Sequence, residues 1–167
     1  IASVFYLDIG FTKLEIAQIT KVYGTLFTLL GAFIGGLWVN RRGIMSVLLW
    51  GGIFTAVTNL GFAALNGIGA NTTALTGLIA LDNLSAGIAT VAFIAYLSSL
   101  ANKQYSATQY AVFSSLMSIA PKILAGFSGS LVDSFGYSYF FIGTAIIGLP
   151  VVILIVWLMR AVAKGVE

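Results

Sequence analysis

The sequence predicts an all-α membrane protein, a single bundle of five transmembrane helices, on three observations. Five continuous apolar runs of 21 to 26 residues fill most of the 167-residue chain, and each is long enough to cross a hydrocarbon core of ~30 Å. Hydrophobic residues make up 59% of the chain and charged residues only 8%, against about 25% charged in a typical soluble domain. The polar connections between runs are short, so consecutive helices run antiparallel and pack side by side. Continuous runs of this length also exclude a barrel, whose strands alternate over roughly 10 residues.

Taken in order, the chain opens at Ile1 inside an apolar stretch, with no methionine and no basic region before it, which reads as a piece of a longer protein and not as a signal peptide. The first span is placed at Ile16–Val39 and ends at the polar loop Asn40–Gly43. The second, Ile44–Leu65, ends at the glycine- and asparagine-rich loop Asn66–Ala74. The third is Leu75–Leu100, followed by Ala101–Ala107, where Ser106 with Gln109 forms a capping box that starts the next helix. The fourth is Thr108–Val132, the turn is Asp133–Ser138, and the fifth is Tyr139–Met159. All of residues 1–167 are expected to form this one transmembrane domain.

Orientation follows from the basic residues, because Lys and Arg are held on the cytoplasmic side of short loops. One set of helix ends carries Arg41, Arg42, Lys103, Arg160 and Lys164, and the other carries Lys13 alone. The Asn40–Gly43 loop and the C-terminus are therefore expected inside. Small residues mark close helix approach: Gly31 and Gly35 form a G-x-x-x-G pair, and Gly24, Gly126 and Gly129 extend small faces on other spans.

Three ionisable residues, Lys21, Asp82 and Lys122, lie well inside the apolar runs. A charge at a helix centre costs about 2.5–3.5 kcal/mol on insertion scales, so it is kept where it finds a partner or a function. At 100° per residue, Gln18, Lys21, Thr25 and Thr28 share one arc of the first span. Asp82, Ser85, Ala89, Phe93 and Tyr96 share a face of the third, and Ser115, Ser118, Lys122, Gly126 and Gly129 line up on the fourth. Pro121 precedes Lys122 in mid-span and cannot donate to the Met117 carbonyl, which predicts a kink beside the charge. Two readings of Asp82 stay open: a carboxylate that loads and releases a proton, or one held in an ion pair with Lys21 or Lys122. With two lysines and one acid, one lysine lacks a carboxylate in this segment, so an anionic substrate or an acid elsewhere in the protein is expected to meet it.

Composition also excludes classes. Cysteine and histidine are both absent, which removes thiolate and imidazole metal ligands, disulfides and every scheme that needs a Cys nucleophile or a His base. Gly126-Phe127-Ser128-Gly129 matches the serine element of intramembrane proteases, but that serine needs a histidine partner. No phosphate-cradling glycine motif occurs, and the eight basic residues are scattered rather than clustered on a face. An enzyme, a metal or organic cofactor and a nucleic-acid partner are not expected.

The loop Gly36-Leu37-Trp38-Val39-Asn40-Arg41-Arg42-Gly43 resembles the G-x-L-x-D-R-x-G element of major facilitator transporters. In that family the first glycine allows close helix approach and the basic residues bias one conformation. Here Asn40 replaces the aspartate, which removes its charge and leaves a side chain able to cap the following helix. A second copy, Gly129-Ser130-Leu131-Val132-Asp133-Ser134-Phe135-Gly136, keeps glycine, acid and glycine at the same spacing, as a fold of duplicated helix groups would. The stretch from Tyr105 to Leu116 is similar to the matching segment of AmpG-type muropeptide permeases. So are Phe5 to Lys13 with Glu15, Lys21-Val22-Tyr23-Gly24, and Asp82-Asn83-Leu84, all in family order.

The resemblance implies the C-terminal half of a twelve-helix permease, with the tail of the seventh helix and helices eight to twelve. Its implied partners are the lipid bilayer, the missing N-terminal half, protons and a small, anionic substrate. Its implied activity is proton-driven import of anhydro-muropeptides across a bacterial inner membrane. Siderophore and acetyl-CoA carriers share the same frame, and a membrane scaffold that transports nothing is the alternative from another class. Under the transport reading, Lys21 and Lys122 line the cavity and Asp82 carries the coupling proton or holds a lysine. Gln18, Thr25, Ser85 and Ser118 offer hydrogen bonds, Pro121 bends its helix, and Gly36, Asn40, Arg41, Arg42 and Gly43 form the conformational element.

Overall fold

A computed structural model describes residues 2–100 and 106–164. Every element in them is helical: α1 (Ala2–Asp8), α2 (Lys13–Gln18), a π-helical segment (Ile19–Gly24), α3 (Thr25–Arg42), α4 (Ile44–Ile68), α5 (Thr72–Leu100) and α6 (Ser106–Lys164). By length and composition, four helices are able to cross a membrane: Lys13–Arg42, Ile44–Ile68, Thr72–Leu100 and Ala107–Ala161. The first three contain the first three apolar runs and extend each by a few residues. The fourth and fifth runs are joined in α6, where the expected six-residue turn Asp133–Ser138 shrinks to one non-helical residue, Gly136.

Helix starts and stops have local causes. The Thr12 hydroxyl accepts from the Glu15 N–H at 3.3 Å and the Glu15 carboxylate accepts from the Thr12 N–H at 2.9 Å, a capping box that opens α2. Asn71 Oδ1 accepts from the Ala74 N–H at 3.0 Å at the start of α5. Gly43 (φ 81°, ψ 159°) alone separates α3 from α4, and Gly136 breaks α6 with nearly the same backbone (φ 80°, ψ 166°). These dihedrals are essentially restricted to glycine. Both are the final glycine of the duplicated eight-residue element, so its two copies end in the same turn. Asn40 does not cap the following helix as expected: it lies inside α3, and Gly43 occupies the cap position of α4 without a side-chain hydrogen bond. Of the expected capping box at Ser106 and Gln109, the Ser106 side chain lies outside the described residues, as do Tyr105 and Lys103.

Glycines set how closely the helices pack. A methyl group on Gly31 would run into the Leu84 backbone carbonyl, and one on Gly35 would lie 2.9 Å from Ile88 Cα, so α3 and α5 touch backbone to backbone. Gly87 returns the approach from α5 against Thr28 and Ala32. Rising numbers on α3 meet rising numbers on α5, so the two run parallel. On the other side of α5, Gly51 meets Ala89 and Gly61 meets Leu78, which sets α4 antiparallel to α5 and leaves α5 between α3 and α4. The stretch of α6 after Gly136 runs back along α4, with Asn66 Nδ2 donating to Ser138 Oγ at 2.9 Å and Gly52 facing Val152.

The main buried cluster lies at the end of the bundle away from Arg41 and Arg42. It joins Phe5 and Tyr6 of α1 to Phe62 of α4, Ile79 and Leu75 of α5, and Phe141 of α6. Phe5 sits edge-on to Phe141, ring centroids 5.0 Å apart, and Phe62 stacks on Phe141 at 5.5 Å. The Tyr137 hydroxyl donates to the Asp8 carboxylate beside this cluster, which ties the residue after the Gly136 break to the end of α1.

Candidate functional site

Lys21 sits within the π-helical segment and not on a regular α-helix. One extra residue per turn displaces everything that follows from the 100° wheel, and single π turns recur at functional sites. Gln18, Lys21 and Thr25 are exposed. Gly24 and Thr28 turn instead toward α5. There Thr28 Oγ1 hydrogen-bonds Asn83 Oδ1 at 3.0 Å and the Gly24 carbonyl at 2.8 Å, while Asn83 Nδ2 donates to the Ile79 carbonyl at 2.8 Å. The expected polar arc is thus divided: three members are free of the bundle and Thr28 is an inter-helix bond.

Asp82 is half-buried and accepts a hydrogen bond from Thr58 Oγ1 of α4 at 2.8 Å. The same hydroxyl contacts the Thr55 carbonyl at 3.0 Å. The ion pair with Lys21 or Lys122 that the sequence left open is not formed: the carboxylate is held by a threonine of the neighbouring helix, and among the described residues neither lysine takes part in an ion pair. Ser85, one turn on, is buried and donates to the Leu81 carbonyl of its own helix at 2.7 Å. The third-span stripe therefore faces α4 over Asp82 and Ala89.

Ser118, Pro121 and Lys122 are exposed on α6. Helical backbone continues through Pro121, and the only non-helical residue inside α6 is Gly136. Gly126 and Gly129 have nothing within 4 Å of a built Cβ, so the small face of this stretch has no partner among the described residues. Gly36 likewise faces open space. Close approach, which the resemblance assigns to Gly36, is made here by Gly31 and Gly35. Arg41 and Arg42 are exposed at the end of α3, and Arg42 with Ser99 borders a cleft that places the ends of α3 and α5 at one level.

The structure accordingly brings Asp82 and Ser85 into the bundle and leaves Gln18, Lys21, Thr25, Ser118 and Lys122 on open surface. Sequence reasoning missed Thr58 and Asn83, the two groups that hold the polar centre of the bundle. Neither carries a charge to mark it: Thr58 stands beside Asn59, and Asn83 follows Asp82, the residue that drew the attention. No group of three or more His, Cys, Asp or Glu able to hold a metal occurs among the described residues.

A model of the Major Facilitator Superfamily matches residues 1–166. The chain belongs to this superfamily. It is a multi-pass membrane protein of a transporter family and not an enzyme. A Rickettsia conorii protein that carries the name AmpG 4 is 38% identical over 158 residues, which cover 95% of this chain and 38% of that protein. A Rickettsia bellii protein named AmpG 1 is 34% identical over 146 residues, or 87% of this chain and 36% of that protein. An anhydromuropeptide permease of Escherichia coli is 31% identical over 147 residues, or 88% of this chain and 30% of that protein. The major facilitator chain thus spans well under half the length of these relatives.

Proposed function

We propose that the chain is the C-terminal part of a proton-coupled secondary transporter that imports anhydro-muropeptides across a bacterial inner membrane. Its 167 residues form one transmembrane domain in which the stretches on either side of Gly136 cross separately, and its basic ends and C-terminus face the cytoplasm. The observation that supports this best is the pair Lys21 and Lys122, exposed within apolar helices and without an ion-pair partner among the described residues. Charges so placed fit a water-filled path completed by the rest of the protein. A peptidoglycan peptide carries carboxylates that match two ammonium groups.

In this reading Gln18, Thr25 and Ser118 offer hydrogen bonds beside the lysines. Asp82 carries the coupling proton from its position on Thr58, with Ser85 behind it in the bundle. Pro121 and the glycines let the helices rock against the remaining half. Gly36, Asn40, Arg41, Arg42 and Gly43 bias one conformation at the basic end. The AmpG-named relatives favour the muropeptide class over siderophore or acetyl-CoA cargo.

The test is uptake by the full-length protein in energised vesicles, with anhydro-muropeptide, ferric siderophore and acetyl-CoA as competitors. Competition by anhydro-muropeptide alone, abolished by a protonophore, is expected. Competition by either other compound reassigns the substrate, and accumulation that survives the protonophore removes proton coupling.

A further inference from the structure

Three clefts near the basic end of the bundle join into one trough. The first, about 400 Å³, lies between α4, α5 and both stretches of α6, with Met45, Gly52, Phe93, Tyr96 and Met117 on its walls. It shares Phe93 and Met117 with a second, about 530 Å³, that runs along the exposed stretch of α6 past Leu116 and Pro121. Both are walled almost wholly by apolar side chains. The first also shares Met45 and Tyr96 with a third, about 460 Å³, whose mainly apolar wall carries Arg42, Ser46 and Ser99. Each volume falls in the range of roughly 300–1,000 Å³ that ligand sites occupy.

We propose that this trough binds one anionic diacyl phospholipid, its acyl chains in the apolar clefts and its phosphate at Arg42 and Ser46, while Ser99 Oγ donates to the Tyr96 carbonyl at 2.6 Å. Charge complementarity decides the occupant. The two apolar clefts form one continuous apolar space that opens through the first of them at a mouth holding a guanidinium, which matches a long-chained amphiphile whose phosphate the guanidinium pairs in a forked geometry. Its place fits as well, since Arg42 ends a membrane-crossing helix and basic pockets between such helices take anionic headgroups. An apolar protein segment from the rest of the transporter would fill the clefts but leave the Arg42 guanidinium without a counter-charge. Free phosphate would satisfy the mouth and leave the clefts empty.

Native mass spectrometry of the full-length protein, exchanged into detergent with phosphatidylglycerol or phosphatidylcholine of equal chain length, tests this. One phosphatidylglycerol is expected to stay bound in preference to phosphatidylcholine. Arg42→Gln, at an exposed position, is expected to cut that preference by about fivefold, the weight of one basic residue at an anionic surface. Gly52→Phe, which puts a ring into the first apolar cleft, is expected to lower occupancy by both lipids, and Lys13→Gln at the opposite end is expected to change neither. A chain-terminal photolabel on the lipid should mark the peptide around Met117. An unchanged preference in Arg42→Gln, displacement of the lipid by excess inorganic phosphate, or cross-links from Met117 to another part of the protein in place of lipid would each overturn the site.

Discussion

Thr58 on α4 donates to the Asp82 carboxylate on α5 at 2.8 Å, so this half-buried acid is held by a neighbouring helix and not by a lysine. Two properties meet at this bond. It ties α4 to α5 where Gly51 and Gly61 already bring them close, and it fixes the rotamer of the group proposed to carry the proton. Thr58→Val keeps the side-chain volume and removes the donor, leaving Asp82 half-buried without its partner at a cost of about 1–3 kcal/mol. A lower Tm in detergent is expected, checked by fluorescence-detected thermal unfolding. Asp82→Asn is expected to insert normally and to lose gradient-driven accumulation while downhill exchange continues. Wild-type accumulation by Asp82→Asn would take the coupling role away from this residue.

Close packing of α3 on α5 makes a second expectation. Gly31→Val would drive a branched side chain into the Leu84 carbonyl, and overpacking of this kind costs about 1–3 kcal/mol or more where the obstacle is backbone. Gly77→Ala, on α5 with nothing within 4 Å of a built Cβ, should stay within about 1 kcal/mol of wild type. Thermal unfolding of the two variants side by side reads the difference. Equal Tm values would show that α3 and α5 do not touch at Gly31.

Gly136 supplies a third. Its φ of 80° with ψ of 166° is backbone that a Cβ makes unfavourable by about 1–3 kcal/mol. Gly136→Ala is expected to lower Tm, while Gly148→Ala, inside regular helix with open space around it, is expected to be neutral. If the break at Gly136 is a true turn between two crossings, a single cysteine at Ser134 should react with an impermeant reagent from the face opposite to one at Arg42.

Much of this fold was legible in the residues, and what was not has a physical cause. Apolar run length placed the helices because burying a polar backbone in lipid forces internal hydrogen bonding, and α4 starts at Ile44, where the second run was placed. The G-x-x-x-G pair announced the Gly31–Gly35 contact because only hydrogen at Cα permits it. The six-residue turn at 133–138 was too long a reading because one glycine with positive φ is enough to break the helix there. The π segment was invisible, since a 3.6-residue wheel has no place for a 4.4-residue turn, and so the face of Thr28 was misplaced. Partner choice for Asp82 was equally hidden, because any of Lys21, Lys122 or a neutral hydroxyl satisfies a carboxylate and only the register of α4 against α5 selects Thr58.

Lys21 and Lys122 carry the electrostatic part of the proposal. Lys21→Gln and Lys122→Gln are each expected to weaken uptake of an anionic muropeptide by about tenfold or more, with insertion unchanged, since loss of a charge-assisted hydrogen bond costs about 1.5–3 kcal/mol. Initial uptake rates against substrate concentration should show the loss in KM. Unchanged KM in both variants would place the lysines outside the path.

The most direct measurement is aqueous access to the faces that carry those lysines. Thr25→Cys and Ser118→Cys, one at a time in a cysteine-free full-length protein in membranes, are treated with a membrane-impermeant maleimide. Labelling at both positions, slowed by anhydro-muropeptide, is the predicted result. Absence of labelling at both, with a cysteine at exposed Arg41 reacting normally, would contradict a water-filled path and leave a sealed scaffold in its place.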